Sequence, residues 1–373
     1  MIGERSSNAK VSQFKLRILD NKRVKKMILE EVKDQMLINN EIGILANLEE
    51  YQSYKESSPK ERFYVAGDNA FTRKARLLQS IRRWQTGAAE GFREYKEIKT
   101  FHGNLAINGG KTGVNFLHKE IFDYVKKRIA EKKPYETIER DRMMNNFLSS
   151  QPMAFNLFYP LMVITECQEG QRRLACVLNR VLKDTVVIEL VTEVGLEFIP
   201  SYYRECLNDK TAMDAYIRFR THEGKSGIIA IETKYTDCLG RNEARNPVPA
   251  RNAVLQDGIK CLFNLDAVNE IQAGKIKLSQ IYRNFLLTEC VRLHEGLDYS
   301  LSFVIAPKEN TSNKADEEEL TSILKDEFKQ KFQVISLEAF VDAIIKEFPD
   351  EGIFKRFRHR YLDFRTVEWL LKQ

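Results

Sequence analysis

The chain has 373 residues, of which 43% are hydrophobic and 30% are charged. Its 18 glycines and 9 prolines are too few for a collagen or a low-complexity polymer, and its hydrophobic fraction excludes a wholly disordered chain. No run approaches the roughly 18 apolar residues of a membrane span, and the charged N-terminus does not resemble a secretion signal. We therefore expect a cytoplasmic protein of about two domains without a membrane anchor.

The cysteines exclude a zinc site of the usual kind. The 6 cysteines form no C-x-x-C pair, and no histidine stands at zinc-ligand spacing from them. We expect them to be buried free thiols. Any metal chemistry must then come from oxygen ligands.

Positive charge is concentrated in the first part of the chain. Residues 1–140 hold 28 Lys and Arg against 19 Asp and Glu, whereas the net charge of the whole chain is +6. Two basic stretches with interleaved aromatic residues, 73–99 and 355–360, are typical of surfaces that bind a polyanion. The alternative is that each stretch is a solvated helix face.

The first part of the chain has a helical pattern. Apolar residues recur at three- and four-residue steps over 11–48, 70–100 and 113–131, which predicts helices there. A charged segment broken by Pro134 follows and marks a boundary. We predict a mainly helical, basic domain over residues 1–140, which is a candidate for binding nucleic acid, and a second domain with a helical tail over residues 141–373.

The second domain mixes helices and strands. In chain order the pattern predicts helices over 142–182, β-branched runs over 185–191, 194–199, 215–219 and 228–235, a helix over 278–293, a strand over 299–305 and a helical tail over 317–373. Helix, three strands, helix and strand in this order predict an α/β core with a mixed sheet flanked by helices.

Charged residues stand at the end of one predicted hairpin. If its turn is centred on Gly224, Asp214 lies opposite Lys234 and Tyr216 lies opposite Glu232, so Asp214, Glu232 and Lys234 share one face of the sheet. Two carboxylates suit Mg²⁺, and a lysine beside them can orient or deprotonate a water. The same residues are also compatible with a structural cross-strand ion pair.

These residues resemble a known family. Asp214 and the segment Ile229–Lys234, in this order of helices and strands, resemble the PD-(D/E)xK nuclease superfamily, which has the restriction-endonuclease-like fold. Further segments resemble a little-characterised bacterial branch of it: 147–151, 155–158, 197–200, 235–236, 280–284 and 360–364. The resemblance covers about residues 143–310 and the last of these segments. Met213 stands where the superfamily often has proline.

The resemblance implies that residues 141–373 form a nuclease-like domain with an αβββαβ core, and that the protein is a metal-dependent phosphodiesterase, most directly a DNA endonuclease. It implies that Asp214 and Glu232 are catalytic and hold Mg²⁺, for which Mn²⁺ can substitute, and that Lys234 positions the attacking water. Relatives often dimerise, so a homodimer or a partner subunit is expected. A role in restriction or phage defence follows only by analogy.

Four further residues are auxiliary candidates. The superfamily often adds an acidic ligand, and Glu197 and Gln151 are the candidates here; Glu197 is alternatively a solvated charge at a strand end. Gln280 and Arg283, about one helical turn apart, are candidates for binding the substrate phosphate or orienting Lys234, or are ordinary helix-surface residues.

Three other functions stay open at this level. One is a nucleic-acid-binding protein that has lost activity on a nuclease-like scaffold. Another is an RNA-directed nuclease, because RNA and DNA phosphates look alike to such a site. The third is a helical scaffold protein in which the hairpin ion pair is structural.

Overall fold

The computed structural model describes residues 56, 63–182, 186–208, 210–237, 257–272 and 279–370. The predicted helix over 11–48 lies outside these residues. Two sheets are found within them: a hairpin of β1 (Glu90–Tyr95) and β2 (Ile98–Ala106), and a five-stranded sheet of β3 (Ile188–Phe198), β4 (Met213–Thr221), β5 (Ser226–Thr233), β6 (Tyr299–Ala306) and β7 (Phe332–Ser336).

The larger sheet is mixed, as predicted. Its strands follow the order β3-β4-β5-β6-β7; β3, β4 and β5 pair antiparallel, whereas β5, β6 and β7 pair parallel. An α/β core with a mixed sheet flanked by helices is therefore confirmed.

The helices cover both faces of this sheet. In chain order they are α1 (Ala70–Gln85), α2 (Gly109–Thr112), α3 (Lys119–Ala130), α4 (Arg140–Asn145), α5 (Ser150–Ile164), α6 (Gln168–Val181), α7 (Tyr203–Cys206), α8 (Asp257–Lys260), α9 (Leu265–Gln272), α10 (Ser279–Glu295), α11 (Ser312–Ile323), a 3₁₀ turn (Asp326–Lys331), α12 (Leu337–Glu347), α13 (Gly352–Leu362) and α14 (Arg365–Leu370). None of the helices described is both long and apolar enough to cross a bilayer.

Strand β5 is buried on both of its faces, as expected of a strand between two neighbours under two layers of helices. Ile229 and Ile231 pack into a cluster with α5, α6, α12 and α13. Ile228 and Ala230 pack into a second cluster with α10. Because alternate side chains point to opposite faces, Glu232 falls on the face covered by α10.

Several predicted elements differ from those observed. The two β-branched runs before Ile199 are parts of one strand, β3, and the predicted helical tail also contains the short strand β7. Strand β7 is only five residues long, and it forms by parallel pairing with β6. A run that short carries too little alternation to be distinguished from the helices on either side.

The helix predicted over 70–100 ends at Gln85. Gly87 adopts a left-handed conformation with φ of 69°, and its N–H donates to the carbonyl oxygen of Trp84 at 2.9 Å. A glycine in this conformation is a common helix terminator, and the hairpin of β1 and β2 follows it. The prediction of helix over 90–100 was therefore wrong.

The predicted polyanion surface also needs correction. Arg76, Arg83 and Arg360, taken from the two basic stretches, are buried. Arg76 Nε donates to Asp68 Oδ2 at 2.6 Å, Arg83 Nε to the carbonyl oxygen of Gly103 at 2.6 Å, and Arg360 Nη1 to a backbone oxygen at 2.9 Å. These guanidinium groups hold the fold together and do not form a surface.

Hydrophobic packing crosses residue 140. Phe71 and Ile121 belong to the same buried cluster as Ile217 and Phe303 of the sheet. The division into domains at residue 140 stays a prediction.

Candidate active site

Three carboxylates stand side by side on neighbouring strands. Strand β4 pairs with β3 so that Ala215 faces Leu196 and Met213 faces Phe198, which places Asp214 beside Glu197. Ala215 also faces Ile231 of β5, so the register continues to Asp214 beside Glu232.

The hairpin register differs from the prediction by two residues. The turn is centred on Glu223, because Gly224 takes the left-handed position of a three-residue loop, with φ of 77°. Asp214 therefore lies opposite Glu232, not opposite Lys234. A shift of two residues preserves the face of every side chain, so Asp214, Glu232 and Lys234 still share one side of the sheet.

Asp214 is bound by the neighbouring strand. Its Oδ2 accepts hydrogen bonds from the backbone N–H of Thr233 at 2.7 Å and from Thr233 Oγ1 at 2.8 Å. Thr233 Oγ1 also lies 3.5 Å from the carbonyl oxygen of Ser150 at the start of α5. Both of these hydrogen bonds are accepted by Oδ2, so the last residue of β5 holds the Asp214 carboxylate in place.

Glu232 and Lys234 form a buried ion pair. Each is 5% exposed, and Lys234 Nζ lies 2.7 Å from Glu232 Oε1. Gln280 bridges the two, since its Nε2 donates to Glu232 Oε1 at 2.7 Å and its Oε1 accepts from Lys234 Nζ at 2.9 Å. Asn284 Nδ2 donates to Glu232 Oε2 at 2.7 Å. Helix α10 therefore orients both charged groups.

Glu197 is buried, so the alternative of a solvated strand-end charge was wrong. Its Oε1 accepts a hydrogen bond from Gln151 Nε2 at 2.7 Å, and its backbone has a left-handed φ of 49°. Gln151 lies in the first turn of α5, where Ser149 caps the helix. The two auxiliary candidates therefore contact each other beside Asp214.

Negative charge in this row is only partly compensated. Burial raises the pKa of Asp214, and the charges of Glu232 and Glu197 raise it further. Burial raises the pKa of Glu197 to about 7, with a contribution from Glu232. Burial works to lower the pKa of Lys234, but the carboxylates of Glu232 and Asp214 outweigh it and raise that pKa. One ammonium thus stands among three acids.

This donor set fits a hard divalent cation. Mg²⁺ is usually held by one or two carboxylates together with waters and substrate phosphates, not by a complete protein cage. In the part of the chain that the structure describes, no group of three or more His, Cys, Asp and Glu residues is placed to hold a metal ion by itself. Asp214 and Glu232, with Glu197 beside them, supply the carboxylates that such an open site requires.

The comparison with protein families agrees with this arrangement. Residues 66–363 match the model of the PD-(D/E)XK nuclease superfamily. The chain belongs to this superfamily. Its members are generally nucleases, usually use divalent metal ions and act on nucleic acid. No curated protein and no solved structure matches the chain.

In this PD-(D/E)XK protein, two site residues were missed by sequence reasoning. Thr233 holds Asp214, and Asn284 holds Glu232. The spacing of Gln280 and Asn284 was the available signal, because residues four apart on a helix share a face. Arg283, three residues after Gln280, is half-buried on the same helix, and its role in binding phosphate stays a prediction.

Proposed function

We propose that the protein is a Mg²⁺-dependent endonuclease that hydrolyses phosphodiester bonds in DNA, and that Mn²⁺ can replace Mg²⁺. The observation that carries the proposal is the row of Glu197, Asp214 and Glu232, with the buried Lys234 paired to Glu232. In this proposal Asp214 and Glu232 hold the metal, and Glu197 is an auxiliary acid oriented by Gln151. When bound, the metal would activate a water and offset charge on the phosphate.

Lys234 acts as a hydrogen-bond donor and a fixed positive charge in this scheme. Because its pKa is raised, it carries a proton at neutral pH. A protonated ammonium can orient the attacking water and stabilise the negative charge that builds on a phosphate oxygen, but it cannot accept a proton from that water. Gln280 fixes the direction in which this ammonium points.

Glu197 can exchange a proton near neutral pH. A carboxyl group with a pKa of about 7 is suited to take a proton from water during catalysis or to release one when a cation arrives. Gln151 keeps Oε1 of this carboxyl in place through its amide. Restriction or phage defence, and a homodimer or a partner subunit, stay predictions about the biological setting.

The test compares cleavage by purified wild type, Lys234→Ala, Asp214→Asn and Lys225→Ala. Lys225 is the matched control, because it lies in the hairpin turn and pairs with the exposed Glu223. Plasmid DNA, single-stranded DNA and RNA are each incubated with Mg²⁺, Mn²⁺ or EDTA. We expect wild type and the control to cut DNA only with a cation, and the other two variants to lose about 10³-fold in rate.

Other outcomes select the alternatives. Cleavage of RNA alone would identify an RNA-directed nuclease. Nucleic-acid binding without cleavage, unchanged in Lys234→Ala and Asp214→Asn, would identify an inactive binding protein. Cleavage that survives EDTA, or that persists in Lys234→Ala, would contradict the proposed chemistry.

A further inference from the structure

One segment of the described chain extends away from the core. Residues 93–101, which include the ends of β1 and β2 and the turn between them, are all exposed. We call residues 92–101 the hairpin arm. Tyr95 is 73% and Ile98 is 69% exposed, although they face each other across the arm. A two-stranded ribbon is only marginally stable in water, so an arm exposed in this way gains little from burial.

The two faces of the arm differ in charge. Opposed residues share a face, so Phe92, Glu94, Lys99 and Phe101 lie on one side. There Lys99 Nζ covers the ring of Phe92 at 4.7 Å, and it stands opposite Glu94. The charged groups of this face therefore have partners within the arm itself.

The opposite face of the arm carries Arg93, Tyr95, Ile98 and Thr100. We call it the Arg93 face. It has a cation, hydroxyl groups and an apolar tip, and neither strand contributes a carboxylate to it. Lys96, in the turn, adds a second cation beside the ring of Tyr95 at 5.3 Å. This chemistry complements a phosphate backbone and the edges of bases.

The turn of the arm is not built for stability alone. Lys96 and Glu97 both have positive φ, at 47° and 67°. A two-residue turn of this kind normally uses Asn-Gly, because other side chains are strained in the left-handed region. The turn therefore places a lysine and a glutamate at the tip at some cost to the fold, and strained backbone of this kind is often found at functional positions.

The base of the arm packs on α1 and is hydrogen-bonded to the segment that precedes α5. Gly103 packs so closely on α1 that a Cβ there would lie 2.5 Å from Ser80 Oγ. The carbonyl oxygen of Asn104 accepts from the N–H of Phe147 at 3.0 Å, and Phe147 stands four residues before Gln151. Five strand residues beyond Gly103 carry the tip about 17 Å outward. The base of the arm is thus joined to the segment before α5, the helix that carries Gln151.

We propose that the Arg93 face of the hairpin arm enters a groove of duplex DNA and positions it against the active site. The major groove of B-DNA admits a two-stranded ribbon of this width. Arg93 binds a backbone phosphate, and Tyr95 and Ile98 make the apolar contact inside the groove. This inference rests on the proposed function, because it supplies the duplex to that same site.

The experiment measures binding of the full-length chain to a short DNA duplex by fluorescence anisotropy, in EDTA and over a range of salt concentrations. The variants are Arg93→Ala and the double variant Tyr95→Ser, Ile98→Ser. The controls are Lys329→Ala, an exposed lysine paired with Asp326 outside both basic stretches, and Leu265→Ser, a leucine 78% exposed. All altered side chains are exposed, so melting temperatures should stay at the wild-type value.

We expect Arg93→Ala to weaken binding roughly tenfold and to lower the salt slope by about 0.9, as for one lost phosphate contact. The double variant should weaken binding roughly tenfold at an unchanged slope, because it removes apolar contact only. The controls should bind like wild type. Duplex RNA should be insensitive to the variants, because its major groove is too narrow.

Results of the same assays separate this inference from the proposed function. If the variants bind like wild type while Mg²⁺-dependent cleavage persists, the proposed DNA binding by the arm is contradicted and the proposed nuclease activity stands. If duplex binding depends on the arm but no nucleic acid is cleaved, the role of the arm is supported and the nuclease activity is contradicted. The role of the arm is also contradicted if wild type does not bind duplex DNA, or if the controls, or the variants on duplex RNA, lose as much affinity as the variants lose on duplex DNA.

Discussion

Gln280 accepts a hydrogen bond from Lys234 Nζ at 2.9 Å with the oxygen of the same amide whose nitrogen donates to Glu232. Lys234 Nζ also contacts Glu232 Oε1 at 2.7 Å, so the three side chains close into a triangle. The amide donates to the carboxylate through its nitrogen and accepts from the ammonium through its oxygen at the same time. Position 280 therefore determines where the ammonium points.

Replacing this amide should impair turnover more than binding. We expect Gln280→Leu to lower kcat at least tenfold with KM for DNA nearly unchanged, because it removes the group that orients Lys234. A raised KM with unchanged kcat would instead support the predicted role of Gln280 in binding the substrate phosphate. Steady-state cleavage of a DNA duplex measures both constants. Gln171→Leu is the control, because the described hydrogen bond of the Gln171 side chain, on α6, goes to the carbonyl oxygen of Thr165 at 3.0 Å, away from the active site. An unchanged kcat in Gln280→Leu would contradict this role.

Cation binding should be visible without catalysis. A ligand present at about 100 times its Kd stabilises the folded state by about 2.7 kcal/mol, which for a chain of this size raises the melting temperature by about 3 °C. We expect Mg²⁺ to raise the melting temperature of wild type but not of Asp214→Asn. The control is Asp342→Asn, which removes an exposed carboxylate paired with Arg358 and should keep the wild-type shift. A Mg²⁺ shift that persists in Asp214→Asn would place the ion elsewhere. Differential scanning fluorimetry in MgCl₂ and in EDTA gives the comparison.

The raised pKa of Glu197 predicts a particular dependence of stability on pH. Between its unfolded pKa of 4.5 and its folded pKa of about 7, the folded protein keeps a proton that the unfolded chain has released. The free energy of unfolding therefore falls as the pH rises through this window, by about 3 kcal/mol in the absence of divalent ions. The contribution of Glu197 to this free energy should be constant again above the window.

Urea denaturation in EDTA at pH 5 and pH 8 measures this loss. We expect wild type to be less stable at pH 8, and Glu197→Gln to show a smaller difference, because the amide cannot titrate. Asp214 shifts in the same direction, so part of the dependence should remain in Glu197→Gln. Equal pH dependence in both proteins would contradict the assignment to Glu197.

The shared face of Asp214, Glu232 and Lys234 could be predicted although the turn centre was misplaced. Moving the centre from Gly224 to Glu223 changes the pairing by two residues, and side chains in a strand alternate with a period of two. The sheet face of each residue could therefore be predicted more reliably from the sequence than its partner on the neighbouring strand.

Contacts made through tertiary packing could not be predicted in the same way. Arg76 and Arg83 lie in a stretch whose composition is typical of a surface that binds a polyanion. In the structure, however, they bind Asp68 and a backbone oxygen inside the fold. Nothing in the local pattern of a helix tells which arginines its neighbours will cover. Asn284 was missed for a related reason, since its role depends on how α10 lies across the end of β5.

The hairpin turn gives a direct test of the observed register. Gly224 adopts φ of 77°, and a Cβ added there would meet no atom within 4 Å, so the effect of Gly224→Ala comes from the backbone alone. We expect this variant to lower the free energy of unfolding by about 1–2 kcal/mol. Gly67→Ala is the matched control, because Gly67 also has open space but no positive φ; it should leave stability unchanged or raise it by up to about 1 kcal/mol. Urea denaturation of the two variants decides the point, since equal stabilities would mean that residue 224 is not the left-handed residue of the turn.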